Sequence, residues 1–253
     1  MALQDIHPVI ISRDAARTIE ATLASLRAFP EVIVYDNGSS DDTVTIASRF
    51  PNVKVVTGEF EGFGQTKNKA AKLSSGDWIL SIDADESLSD ELLASLDALD
   101  LSETRQTYTI HRHNLFMGKD IRWGGWGNDW LVRIYNRLQT GLSDSLVHEK
   151  VVVPDGAQPR AVDGALWHDN IHDIDQFLKK ISYYTELRRQ EAGKRVHGPV
   201  VIMVRTVWTF FRSYVLKLGL LAGWRGLVIA VCDAVGTFFK HMKRYSDTRA
   251  RRE

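Results

Sequence analysis

The chain is poor in features that would mark a secreted, metal-stapled or nucleic-acid-binding protein. One cysteine, Cys232, stands in 253 residues, so no internal disulfide can form and a reducing compartment is expected. No Cys/His cluster has zinc-ligand spacing, which sets structural zinc aside. Lys+Arg and Asp+Glu number 32 each, and a formal net charge of zero removes the basic surface on which a nucleic-acid partner would rely. The opening Met1-Ala2-Leu3-Gln4-Asp5 lacks a basic region followed by an apolar stretch, so the expectation is a cytoplasmic protein without a signal peptide. No run of about 18 uncharged apolar residues occurs, which argues against a spanning helix. Internal repeats and low-complexity stretches are also missing.

What is present is an ordinary globular composition, 44% apolar and 25% charged, enough for one good core. The zero net charge conceals a segregation. Residues 194–253 hold 12 Lys/Arg against 3 Asp/Glu, so that segment carries +9 and residues 1–193 carry −9. Such separation suggests two jobs and a division into a domain over 1–193 and a basic helical extension over 194–253.

Within the first hundred residues, short β-branched runs at 8–12, 31–36, 53–57 and 77–83 alternate with helical patterns, the signature of a parallel sheet covered on both faces. Ile19, Leu23 and Leu26 recur at helical spacing before Pro30. Asp41 or Asp42 can cap a helix running to Arg49, residues 65–73 form a third, and Ser89 caps a fourth over 90–99. Residues 105–153 become aromatic- and glycine-rich, with strand runs at 107–111 and 151–153. The domain therefore divides into a half over 1–104 and a substrate-binding half over 105–193. Ile174, Phe177, Leu178 and Ile181 mark a helix up to Arg188. Over 199–245, Arg205 and Arg212 share one helix face while Trp208, Phe211 and Val215 cluster on another, a pattern suited to a membrane interface.

In open parallel sheets ligands bind beyond the carboxyl ends of the strands, and the polar motifs fall there. Asp36-Asn37-Gly38-Ser39-Ser40-Asp41-Asp42-Thr43 follows the second strand and serves equally as a turn with an N-cap. Asp83-Ala84-Asp85-Glu86 follows the fourth. Two carboxylates flanking a small residue have the reach to hold a divalent ion that grips a diphosphate, although Asp-x-Asp alone is more often solvated acid than ligand. Between them, Gly62-Phe63-Gly64-Gln65-Thr66-Lys67-Asn68 permits close backbone approach and offers a lysine to phosphate; a flexible turn with solvated lysines is the plainer alternative.

These motifs in this order resemble the inverting family 2 glycosyltransferases. Downstream, Asn114-Leu115-Phe116-Met117-Gly118-Lys119, Gly124-Gly125-Trp126-Gly127-Asn128-Asp129, Arg133 and Val147-His148-Glu149 are similar to the branch containing lipopolysaccharide-core β-glucosyltransferases. The resemblance implies an α/β, GT-A-type nucleotide-sugar-binding fold and transfer from a nucleoside-diphosphate donor, most often UDP-linked, to a glycan or glycolipid acceptor. Donor-binding residues would be Ser12, Asp36, Lys67, Asn68 and Asp83, with Asp36 on the nucleobase. A magnesium or manganese ion would be held by Asp85, with Asp83 on ribose or metal and His168 towards the diphosphate. Where the family has Asn-Glu in its first loop this chain has Asp14-Ala15, which weakens any donor contact there.

An inverting transfer needs a base to deprotonate the acceptor hydroxyl. Asp129 is preferred, with a helix cap as its structural alternative, and Glu149 is the second candidate. Trp123, Trp126 and Trp130 are candidates for a sugar-stacking wall, or plain core. The extension over 200–253 either contacts the cytoplasmic face of an anionic inner membrane or packs on the domain or in a dimer. Competing readings are a nucleotidyltransferase, which would want a glycine-rich loop where Ser12-Arg13-Asp14-Ala15-Ala16 stands, a non-catalytic sugar-binding or assembly protein, and a polyprenyl-phosphate glycosyltransferase, whose relatives carry spanning helices.

Overall fold

Seven consecutive buried residues, Ile6–Ser12 (β1), five at Val32–Asp36 (β2) and a nearly buried Trp78–Asp83 (β4) are the continuous apolar runs that a sheet covered on both faces requires. With the more exposed Val53–Thr57 (β3) they form the parallel order β3-β2-β1-β4. Pro8 is tolerated in β1 because pairing with β2 begins only at Val9. The computed structural model describes residues 1–144, 149–189 and 196–250. Between the strands lie Ile19–Ser25 (α1), Thr43–Ala47 (α2) and Phe63–Ala71 (α3). Ile19 and Leu23 of α1 are buried against the sheet in the main apolar core.

Beyond β4 the sheet continues through strands of which the sequence showed only the run at 107–111. Glu86–Leu88 (β5) follows β4 directly, and Asp90–Asp97 (α4) begins at Ser89, whose hydroxyl accepts the Leu92 N–H at 3.1 Å as expected of the cap. Tyr108–Phe116 (β6), Asp129–Asn136 (β8) and Arg160–Ile171 (β9) complete the order β4-β8-β6-β9-β5, with β8 antiparallel to both β4 and β6. The strand expected at 151–153 is only an isolated bridge from Val151 to Leu142.

By compactness the chain divides into two units, Met1–Arg112 with Asp129–His168, and His113–Asn128 with Asp169–Glu253, a division that passes through β6 and β9. In the second unit Lys119–Asp120 (β7) pairs the end of β6, followed by Ile174–Arg189 (α5), Pro199–Phe211 (α6), a π-helical turn Arg212–Leu216, a 3-10 turn Gly219–Ala222 and Gly223–Ala250 (α7). Phe116, Trp126 and Phe177 stack edge-on at centroid distances of 5.3–6.0 Å over Ile229 and the buried, unpaired thiol Cys232. Arg189–Asp247 and Lys243–Glu186 ion pairs tie α5 to α7. Pro199–Leu216 and Gly219–Ala250 are long and apolar enough, by length and composition, to cross a membrane. The missing uncharged run therefore does not by itself exclude a crossing.

Candidate active site

Parallel register brings three motifs to one rim. Ser12 pairs with Asp36 and Ile11 with Asp83, so the carboxyl ends of β1, β2 and β4 end level. Asp36, buried, accepts the Ser12 hydroxyl at 3.1 Å, the Ser39 hydroxyl at 2.5 Å and the Gly38 and Ser39 N–H groups at 3.1 and 2.9 Å. The rest of that motif braces the first loop. Ser39, Thr43 and Asp41 accept the N–H groups of Asp14, Ala15 and Ala16, while Asp14 accepts the Ser40 N–H and hydroxyl. Asp41, rather than Asp42, bonds the first turn of α2, accepting Thr43 N–H at 3.0 Å. These Ser40 bonds hold the exposed Asp14 carboxyl below its usual range.

Lys67 on α3 is buried to 2% exposure. Its ammonium lies 2.6 Å from Asp83 Oδ1 and 2.7 Å from Glu149 Oε1, so it neutralises two carboxylates instead of standing as a solvated charge. Gly62, at φ 107°, opens α3, and Gly64 lets the Ser143 carbonyl approach to where a Cβ would clash at 1.9 Å. Asn68 is a backbone clamp. Its amide donates to Leu142 O and accepts Leu142 N–H, each at 2.8 Å.

Asp83 meets a second cation, Arg133 of β8, at 3.0 Å through Oδ2. Burial alone would raise the Asp83 carboxyl; Lys67 and Arg133 reverse that and hold it well below the usual carboxylate range. The same burial opposes charge on Lys67, yet Asp83 and Glu149 raise its proton affinity on balance. Fully buried Glu86 accepts Arg133 at 2.5 Å and Arg112 at 3.1 Å through Oε1, and the Asp83 N–H at 2.9 Å through Oε2. Arg112 in turn reaches Asp129 Oδ2 at 2.7 Å. Lys67, Asp83, Arg133, Glu86, Arg112 and Asp129 thus form one continuous chain of ion pairs.

Asp85, next along, sits with its Oδ2 3.4 Å from His168 Nε2, because β5 pairs β9 with Glu86 opposite His168. The Ala84 carbonyl between the two aspartates accepts the Thr22 hydroxyl at 3.0 Å and ties this loop to α1. Among the described residues no group of three or more His, Cys, Asp or Glu converges as a closed metal cage. A cation that keeps sites for phosphate oxygens and water needs only one or two protein ligands, and the Asp85–His168 pair fits that donor set.

The structure therefore gathers Ser12, Asp36, Lys67, Asn68, Asp83, Asp85, Asp129, Glu149 and His168 in the first unit. Asp129 is the first residue of β8, not a helix cap. Val147 and His148 lie outside the described residues. The tryptophans divide: Trp126 is wedged against Phe116 and Phe177, whereas Trp123 and Trp130 are about half exposed, Trp130 stacked on His111 at 4.8 Å. Sequence reasoning gave no role to Arg112, Arg133 or Glu86. The signal was available in part, since Arg112 stands two residues beyond Ile110 on the core side of β6, where an apolar residue is the rule.

A model of the family "Glycosyl transferase family 2" matches residues 9–148, more than half of the chain, and takes in the motifs at Asp36–Thr43, Gly62–Asn68 and Asp83–Glu86. The chain belongs to glycosyltransferase family 2. As a family 2 glycosyltransferase it is 27% identical over 251 residues to an uncharacterized glycosyltransferase of Rickettsia bellii, covering 94% of this chain and 85% of that one. It is 24% identical to the lipopolysaccharide core biosynthesis glycosyltransferase LpsC of Rhizobium meliloti, covering 88% and 85%. The crystal structure of S. aureus TarS 1-349 in complex with UDP-GlcNAc resembles it at 14% identity and a TM-score of 0.45, covering 98% and 92%. The GT-A-type α/β fold expected from the motifs is the fold of this family 2 enzyme.

Proposed function

We propose that this family 2 glycosyltransferase carries out an inverting transfer of a hexose from a UDP-linked donor to a hydroxyl of a lipopolysaccharide-core or other envelope glycan. The observation that supports it most is the approach of His168 Nε2 to Asp85 Oδ2 at 3.4 Å, a pair able to take a divalent cation while leaving sites for phosphate oxygens. Asp36 and Ser12 would face the nucleoside, and Asp83, fixed by two cations, would meet the ribose. Asp85 and His168 would hold a magnesium or manganese ion, which when bound neutralises charge on the departing diphosphate.

In this reading the acceptor oxygen attacks the anomeric carbon and the bond from that carbon to the diphosphate oxygen breaks. The hydroxyl proton passes to Asp129, which Arg112 holds in place. Glu149 is the second candidate base, although its Oε1 is committed to Lys67. The lipopolysaccharide acceptor is supported by the likeness to LpsC along most of the chain. A polyprenyl-phosphate acceptor stands as the second reading, because two helices here meet the length and composition of a crossing. Peripheral contact through 200–253 would bring either acceptor within reach.

Thermal shift with a panel of nucleotide sugars and manganese tests the donor class, followed by transfer to core oligosaccharide or to polyprenyl phosphate. A shift specific to UDP-hexoses and a glycosylated oligosaccharide are expected. No shift and no donor hydrolysis with any nucleotide sugar would refute the reading.

A further inference from the structure

We propose that the outer face of α6 and the elbow after it dock into the interfacial layer of an anionic membrane, the helix lying along the surface rather than crossing it. Only 11% of the segment Pro199–Leu216 is buried. One side of α6 meets α7, with Ile202 buried and the Thr209 hydroxyl 3.3 Å from that of Thr237. On the opposite side Val200, Val204, Val207 and Phe211, at spacings of four, three and four, are all exposed, Val200 to 77%. The apolar surface continues around the elbow through Leu216, Leu221 and Trp224, each about half exposed. Isolated exposed apolar side chains are ordinary; a contiguous strip along a helix and its turn is not.

Charge selects the occupant. Between residues 196 and 232 there is no Asp or Glu, while Arg205, Arg212, Lys217 and Arg225 all lie there. Arg205 and Arg212, seven apart and exposed, line one flank of the strip, and Lys217 is exposed at the elbow. An apolar strip edged solely by cations matches a bilayer with an anionic headgroup layer. A second copy of the chain would set these cations against their own equivalents across a two-fold axis. Exposed Trp208 and Trp224, the latter under the Arg225 guanidinium at 4.6 Å, suit the headgroup level.

Backbone geometry favours the in-plane arrangement. With its π-helical turn α6 runs 18 residues, at the short end of what spans hydrocarbon. That turn starts at Arg212, and positive φ values at Leu218 (58°) and Gly223 (61°) turn the chain back into α7. A crossing would also carry Arg205 and Arg212 into the hydrocarbon, where charge is costly.

This deepens the peripheral contact suggested above, and vesicle binding measured without donor or acceptor separates its outcome from that of the transferase reading. The full chain is sedimented with phosphatidylcholine vesicles, with and without phosphatidylglycerol. Binding to the anionic vesicles alone is expected, with release by an alkaline carbonate wash. Arg205→Gln with Arg212→Gln should weaken it roughly 10- to 30-fold. Val204→Glu with Val207→Glu, both at exposed positions, should abolish it while leaving the circular dichroism spectrum unchanged. Equal binding by either double variant, or a wild-type chain that ignores vesicles and instead forms a dimer that the glutamates dissociate, overturns the proposal. Retention after the alkaline wash overturns the in-plane arrangement in favour of a crossing.

Discussion

Arg112 and Asp129 face one another directly across β6 and β8, the guanidinium Nη2 2.7 Å from the carboxylate Oδ2. Arg133 falls at the register shift between β6 and β8, and buried Glu86 bridges Arg112 to Arg133. A base proposed on Asp129 is therefore held by the same ion-pair chain that fixes Asp83.

Asp129→Asn keeps the volume of this side chain and removes its basicity. Transfer should fall by about 10²- to 10⁴-fold while donor affinity stays within a few-fold of wild type. Single-turnover assays alongside donor titration check this, and wild-type turnover in the variant would move the base to Glu149.

Asp85→Ala and His168→Ala each remove one member of the pair on which the cation is proposed. Both should abolish manganese-dependent binding of UDP measured by calorimetry and, with it, transfer. Full wild-type activity in excess chelator would rule out the metal-assisted mechanism.

Lys67→Met deletes the cation between Asp83 and Glu149 and leaves the buried carboxylates short of compensation. A loss of about 3–5 kcal/mol in stability to urea is expected at neutral pH. Because the Asp83 carboxyl is held well below its ordinary value in the folded chain, its contribution is present above the unfolded carboxylate range near pH 4 and is lost as pH falls below it. Wild-type stability should accordingly drop on acidification, and the variant should show a shallower drop.

Asp233 on α7 behaves in the opposite sense. Burial pushes its carboxyl up to about 6, against the Ser213 hydroxyl at 3.2 Å and the charge of Lys217. A raised acid favours the folded state while protonated, so this contribution is complete below the unfolded range near pH 4 and lost as pH rises through about 6. Asp233→Asn should stabilise the helical unit by about 2 kcal/mol at pH 8 and by little at pH 4. Hydrogen exchange along α7 at the two pH values is the measurement; equal protection in the two proteins at pH 8 would contradict it.

The rim motifs were legible because they are local. Asp36 to Thr43 and Asp83 to Glu86 each follow a strand written as an uninterrupted apolar run, and the Ser89 cap is a single-turn interaction. Strands β8 and β9 escaped notice for the contrary reason. Asp129-Trp130-Leu131-Val132-Arg133 mixes charge with apolar residues, and its arginine is buried only because Glu86 and Asp83, more than forty residues earlier, neutralise it. The partners of Lys67, expected as a charge offered to phosphate, were hidden for the same reason, since nothing near it in sequence announces Glu149.

By itself, then, the sequence determined the parallel α/β half, the positions of Asp36, Asp83 and Asp85 at strand ends, and the segregation of positive charge beyond residue 193. These follow from periodicity, turn chemistry and composition, which act over a few residues. Only the tertiary structure decided that His168 meets Asp85, that Lys67 is buried between two carboxylates, and that Asp129 is tied to Arg112. Each of those depends on which distant strands share a register, and the desolvation of a charge is compensated only where the fold delivers its counter-charge.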